Sequence, residues 1–235
     1  MHKYIFHIAL ICFCFNSWSQ ERKVTQPNII FILADDLGTR DLGCYGSDYY
    51  LTPNIDKLAS QSMQFNQAYT ASHVCSPTRA SILTGSYPQR VRITDALPWD
   101  RLSDNPKLIP PEHLKELPST LPTFAKSLRS TGYKTALFGK WHLGNEFKFF
   151  SQGGHEDYGF DEAFAVSGAE KKRDKGVDEL TERCIEFLEA NQNRPFLLYL
   201  THHTPHVPLA SPPKDKAIYD NIPKGKYQNN QTYAG

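Results

Sequence analysis

The sequence predicts an α/β fold, a largely parallel central sheet flanked by helices, from three observations. Apolar runs at residues 29–34, 133–138 and 196–200 have the length and composition of strands. Stretches of helical spacing alternate with them. Each run also ends in a cluster of ionisable residues, and open α/β sheets bind their ligands beyond the carboxyl ends of the strands. Asp35 and Asp36, Lys140 and His142, and His206 are therefore expected to converge on one site.

The elements follow in order. The continuous run Ile29-Ile30-Phe31-Ile32-Leu33-Ala34 reads as a strand buried on both faces. Thr52 is placed as the N-cap of a helix reaching to Met63, with Pro53 in its first turn and Ile55, Leu58, Ala59 and Met63 as its buried stripe. A second helix starts near Ser76, carries Pro77 early and closes at Gly85. Residues 86–118 are proline-rich without a clear period and read as a long irregular insertion. Ser119-Thr120 opens a helix bearing Leu121, Phe124, Ala125 and Leu128, closed by Gly132. The next strand ends on Gly139-Lys140-Trp141-His142. Between Gly176 and Asn191, Val177, Leu180, Cys184, Phe187 and Leu188 recur at helical spacing with charges opposite. Pro195 then leads into Phe196-Leu197-Leu198-Tyr199-Leu200, followed by Thr201-His202-His203-Thr204-Pro205-His206.

Composition narrows the class. The chain has 235 residues, 26 Lys+Arg against 25 Asp+Glu, 22% charged and 12% aromatic residues, which excludes wholesale disorder. The near-zero net charge gives no electrostatic sign of nucleic-acid binding. A mean hydropathy of −0.50 excludes a polytopic membrane protein. Met1-His2-Lys3, an apolar stretch from Tyr4 to Phe15 and a small polar exit have the form of a secretory signal peptide, and the stretch is too short to span a bilayer. The expected organisation is a signal peptide at 1–20, a linker at 21–26 and a catalytic region at 27–235. An uncleaved anchor is the alternative. Export places the protein in the periplasm or outside the cell, with no stable membrane insertion after cleavage. Cys12 and Cys14 leave with the signal; Cys44, Cys75 and Cys184 remain, too few for a disulfide framework.

Two motifs carry chemistry. Asp35-Asp36 after a buried strand sets two carboxylates together, which suits a hard metal ion or, alternatively, a strand-ending turn. Cys75-Ser76-Pro77-Thr78-Arg79 places a cysteine at a helix start, where an anion is favoured, and a guanidinium one turn on. That combination suits sulfate or phosphate ester chemistry; a buried structural cysteine is the plain alternative.

These segments in this order resemble the sulfatase family, of the type whose Cys-x-Pro-x-Arg cysteine is converted to formylglycine. The resemblance runs through Pro27-Asn28-Ile29-Ile30 to Asp35-Asp36-Leu37-Gly38, Thr52-Pro53-Asn54-Ile55-Asp56-Lys57-Leu58-Ala59 and the cysteine motif ending at Gly85. It continues through Gly132-Tyr133 to Gly139-Lys140-Trp141-His142-Leu143-Gly144 and through Pro195-Phe196 to His206-Val207-Pro208-Leu209. His73 and Phe138 stand where the family usually has smaller residues. The resemblance implies an alkaline-phosphatase/sulfatase-like fold, incomplete at its carboxyl end, and hydrolysis of sulfate esters.

By the same resemblance, Asp35 and Asp36 ligate Ca²⁺, joined by position 75. Cys75 becomes formylglycine through a maturation enzyme, and its hydrate attacks sulfur. Arg79 holds the diol and His142 is its base partner. Lys140 binds a sulfate oxygen, His206 protonates the leaving alcohol, and Ser167 is a looser substrate-binding match. The substrate is a sulfated small molecule or carbohydrate. The family's Asp-Asn ligand pair and second sulfate-binding lysine have no match, since Asp220-Asn221 falls in a proline-rich loop. The 235 residues are thus expected to be an amino-terminal portion with little activity alone. A phosphoester or phosphonate hydrolase on the same fold is a rival, which Cys75 argues against. A zinc site on His202, His203 and His206 is a further alternative, lacking a fourth ligand at the usual spacing.

Overall fold

The computed structural model describes residues 26–98, 107–109 and 111–235. The expected signal peptide and all of the linker but Gln26 lie outside them. The described elements are β1 (Ile29–Asp35), α1 (Pro53–Ala59), α2 (Cys75–Thr84), α3 (Pro88–Val91), α4 (Phe124–Ser130), β2 (Lys134–Gly139), α5 (Glu146–Ser151), β3 (Glu162–Phe164), α6 (Val177–Ala190), β4 (Phe196–Pro205), α7 (Pro213–Ala217) and α8 (Gln231–Ala234), with short 3₁₀ turns between some of them. No described helix is long and apolar enough to cross a membrane.

The four strands form one parallel sheet in the order β1-β4-β2-β3. Alternation along the central strands divides the core in two. Leu137, Leu197 and Tyr199 face a cluster with Leu83 of α2, Ala125 of α4, Trp141, Phe149 of α5 and Phe160. Ala136, Phe138, Leu198 and Leu200 face the other way, onto Leu180, Cys184 and Phe187 of α6. The spacing read for α6 is realised, with Gly176 as N-cap and Asn191 as C-cap.

Several expectations are corrected. β1 is not buried on both faces: among the described residues it pairs only with β4, and Ile30 and Ile32 are 51% and 61% exposed. Its apolar run reflects what the residues would bury, while α6 reaches only the middle of the sheet. Helix α1 stops at Ala59, and Ile55, Leu58 and Met63 are exposed. Thr52 does not cap it with its side chain; the hydroxyl instead accepts from Gly43 N at 2.8 Å and donates to Asp56 at 2.9 Å, fixing the preceding loop. The cap of α4 is Thr123, which accepts from Lys126 N at 3.0 Å; Pro122 has no amide hydrogen and sits in the lead-in, so the helix starts later than Ser119. The stretch at 86–118 is not a mere insertion, because Val91, Ile93, Leu97 and Leu117 are core residues. β3, three residues long, has too short a pattern to be read from sequence. β4 runs on to Pro205, so its two adjacent histidines are strand residues.

Candidate active site

β1, β2 and β4 all point their carboxyl ends the same way, which is how three distant segments meet. Asp35 closes β1 and is 5% exposed. Gly139 closes β2 with φ +109°, and a Cβ there would stand 1.9 Å from Thr201 O. Only glycine lets β2 come so close to β4 at this point. The next residue, Lys140, is thereby carried to Asp35.

The centre of the site is a buried charge cluster. Lys140 Nζ lies 2.5 Å from Asp35 Oδ2, and Arg79 Nη2 lies 3.4 Å from Asp35 Oδ1. Arg79 Nη1 also donates to the Lys140 carbonyl at 2.9 Å, and Thr201 Oγ1 donates to the same oxygen at 2.8 Å. Burial pushes the Asp35 carboxyl up, but the Arg79 charge and then Lys140 outweigh it and hold the group below its ordinary value. Among the described residues the Arg79 Nε is buried without a partner, a donor left over beside the carboxylate.

Arg79 reaches this cluster because α2 begins at Cys75 and places residue 79 one turn on. Val74 is the extended N-cap, and Gly85 closes the helix in the left-handed region with its amide on Ser81 O. Cys75 is a free, half-buried thiol. It lines a cavity of about 220 Å³ with Asp35, Asp36, Arg79, Thr78, Ser72 and His73. His73, noted in the sequence only as an unusual neighbour of the cysteine, is thus a wall residue of this cavity.

Asp36 takes φ +67° and is exposed beside Asp35, and its Oδ2 stands 3.6 Å from His206 Nε2. The other ring nitrogen of His206, Nδ1, is 2.5 Å from Val207 O. A carbonyl only accepts, so this contact assigns the hydrogen to Nδ1 and leaves Nε2 facing Asp36. His206 O accepts from Lys175 Nζ at 2.8 Å.

His142 is set apart from this cavity. It takes φ +54°, its backbone amide donates to Glu146 at 3.3 Å, and among the described residues its Nδ1 is buried without a partner. Burial first, and then the charge of Lys140, lower its pKa to about 4, so the ring is neutral near pH 7. The side chain lines a separate cavity with Lys115, Glu116, Asn145 and Glu146. Ser167 is exposed in the turn after β3, and among the described residues no hydrogen bond or ion pair joins it to the cluster.

Asp35 and Asp36 offer hard oxygen donors on one cavity, and that donor set fits a hard divalent cation in part. Among the described residues no group of three or more His, Cys, Asp or Glu side chains is gathered as a metal site. The zinc reading meets a geometric obstacle, because adjacent residues 202 and 203 of β4 point to opposite faces of the sheet. Sequence reasoning missed two residues that hold the site, Thr201 and Lys175. Thr201 is an ordinary strand threonine by sequence, and Lys175 sits in the charged run Lys171-Lys172-Arg173-Asp174-Lys175, which reads as a solvated face.

Residues 27–234 match the sequence profile of the family described as Sulfatase. The chain is 31% identical over 217 residues to the N-acetylglucosamine-6-O-sulfatase of Bacteroides thetaiotaomicron, covering 88% of this chain and 35% of that protein. It is 44% identical over 128 residues to human steryl-sulfatase, covering 54% of this chain and 21% of that one. Among solved structures, Ps i-CgsB crystallised with k-i-k-neocarrahexaose superposes with a TM-score of 0.70 at 30% identity, over 89% of this chain and 51% of that one. The chain therefore spans from about a fifth to about half the length of these proteins.

Proposed function

The chain belongs to the sulfatase family, and from that premise we propose that the protein hydrolyses sulfate esters, with a sulfated carbohydrate as its substrate class. The observation that carries this reading is the single cavity gathering Asp35, Asp36, Cys75 and Arg79, with Lys140 ion-paired to Asp35 on its inner side. Carboxylates for a hard cation and buried cations for an oxyanion belong together where an anionic ester is cleaved. The carbohydrate class is supported by the name of the Bacteroides relative.

Converted to formylglycine by a maturation enzyme, position 75 would supply an oxygen nucleophile for the sulfur and a means of releasing sulfate that the thiol lacks. Asp35 and Asp36 are the residues that would hold Ca²⁺ together with position 75. Arg79, pinned by Asp35 and the Lys140 carbonyl, presents a fixed guanidinium to the oxygens at position 75. Lys140 supplies the positive charge that offsets the charge building on a sulfate oxygen. His142, whose ring is neutral near pH 7 but lines the neighbouring cavity, takes the role of base partner from the family resemblance alone. With its hydrogen held at Nδ1 by Val207 O, His206 would use Nε2, the nitrogen that faces Asp36, to hand a proton to the departing alcohol. Export to the periplasm or beyond is part of the proposal and rests on residues 1–20.

The test compares 4-nitrophenyl sulfate with 4-nitrophenyl phosphate as substrates of the full-length protein, together with the mass of the peptide carrying position 75. Faster sulfate turnover and a formylglycine mass are expected. Faster phosphate turnover overturns the choice of ester, and an intact thiol in active protein overturns the nucleophile.

A further inference from the structure

Lys175 is 2% exposed, and its amine donates to the backbone carbonyl of His206 at 2.8 Å. A lysine is the residue least at ease in such a place, because burial strips the ammonium of water. Its backbone is also in the left-handed region, φ +54°, which costs free energy for a residue with a Cβ. Both features make the contacts of this side chain decisive, and the one to the His206 carbonyl reaches the site.

The surrounding turn is built to aim this side chain. Asp174 accepts from Gly176 N at 3.1 Å and from Asp178 N at 3.2 Å, closing the turn at the entrance of α6. Gly176 follows with φ +76°, where a Cβ would meet Val166 at 2.9 Å, so the chain is held tightly against the end of β3. α6 itself is fixed on the sheet by Leu180, Cys184 and Phe187. The amine therefore projects from a rigid mount onto His206. There it completes a short frame: His206 N donates to His203 O at 3.1 Å, His206 O accepts from Lys175, and His206 Nδ1 contacts Val207 O. Lys175 and His206 also line one cavity of about 230 Å³, with Thr204, Pro205 and Tyr233.

We propose that Lys175 is a positioning residue for His206: by fixing its peptide carbonyl, Lys175 holds the Val207 carbonyl against Nδ1 and keeps Nε2 turned toward Asp36. The step is conformational and moves no proton of its own. It rests on the reading of His206 as the acid that serves the leaving alcohol. Loss of the amine frees the 206–207 peptide, the ring then samples both tautomers, and the proton is delivered with poorer aim.

The test uses the full-length protein with Lys175→Met and Lys175→Arg. The first readout needs no turnover. With isotope-labelled histidine, and the His206 signal assigned from His206→Gln, nuclear magnetic resonance at about pH 8, above the ordinary histidine range, reports the tautomer. Wild type is expected to show the Nδ1–H form, Lys175→Met a mixture, and Lys175→Arg, which keeps a donor, the wild-type form. A single Nδ1–H form in Lys175→Met overturns the proposal. Should that variant fail to fold, Lys175→Gln, whose amide stops short of the carbonyl, is read in the same way.

The second readout compares leaving groups. General acid catalysis matters most when the alcohol leaves poorly, so kcat/KM of Lys175→Met on glucosamine 6-sulfate should fall at least ~10-fold further than on 4-nitrophenyl sulfate. An equal loss on both esters is the signature of a purely structural lysine and overturns the proposal. If the wild type hydrolyses neither ester, the functional reading fails, and the tautomer measurement still decides the placement of His206 by Lys175.

Discussion

The Tyr233 hydroxyl donates to Asp41 Oδ2 at 2.5 Å across 192 residues of sequence. Asp41 Oδ2 also accepts from Gly38 N at 3.0 Å, so α8 is tied to the loop that leaves the Asp35-Asp36 pair. The Tyr233 ring packs on Tyr50 at 4.9 Å between centroids, and burial with the Asp41 charge raises its phenol pKa. Tyr233→Phe is expected to destabilise the full-length protein by about 1.5–3 kcal/mol, the range for a hydrogen bond to a charged group. Amide hydrogen exchange should quicken at residues 37–41. Equal exchange in both proteins would place the stability of this loop elsewhere.

The pairing of Asp35 with Lys140 and Arg79 leads to a second expectation. All three side chains are at least nine-tenths buried, and removing one partner of such a group leaves an unbalanced buried charge. Lys140→Met should cost roughly 3–5 kcal/mol in chemical denaturation and abolish ester hydrolysis. Asp35→Ala should cost at least as much, since it strands two cations. A Lys140→Met protein as stable as wild type would show that water reaches this cluster freely.

A third expectation concerns pH. The folded-state pKa of His142 is about 4, below the ordinary value of 6.5, and burial also lowers that of His202. As pH falls through about 6.5 the unfolded chain takes up protons that the folded protein refuses. Stability should therefore decline from about pH 6.5 toward pH 4, and the contribution of His142 is fully present only above that window. Unfolding midpoints across this range should lose part of their slope in His142→Gln. An unchanged slope would mean that His142 titrates as an ordinary exposed histidine.

Gly139→Ala supplies a fourth. Both the positive φ and the 1.9 Å approach to Thr201 O oppose any side chain there. The strain at φ alone is worth about 1–3 kcal/mol, and the clash adds to it by pushing β2 from β4. Low soluble yield and loss of activity are expected, whereas Gly85→Ala, with open space around it, should cost only its backbone strain. Equal stability of the two variants would refute the close-approach argument.

How much of this was legible in the sequence depended on the kind of signal. β2, β4, α2 and α6 were readable because apolar spacing and end residues agree over a sufficient length. The convergence of Asp35, Lys140 and His206 followed from strand ends alone, since parallel strands share a direction. What could not be read was who covers whom. The run at 29–34 is as apolar as a central strand, yet it lies at an edge. Residues 91–97 have no period, yet Ile93 and Leu97 fill the core because tertiary contacts place them. His142 stands two residues from Lys140 and still faces another cavity, since its left-handed backbone turns the chain away. Lys175 was hidden among charged neighbours, and only the fold distinguishes it from them.

The outer edge of β1 also bears on the colloidal behaviour of these residues. Among the described residues Ile30, Phe31 and Ile32 lie along a strand paired on one side only, with Leu58 and Phe65 exposed elsewhere on the surface. Such an edge is a template for any extended segment of similar character, including the same strand in another molecule. Residues 26–235 prepared alone and concentrated should therefore self-associate, and the rate of that association, more than any loss of internal packing, should limit how long they remain dispersed in solution.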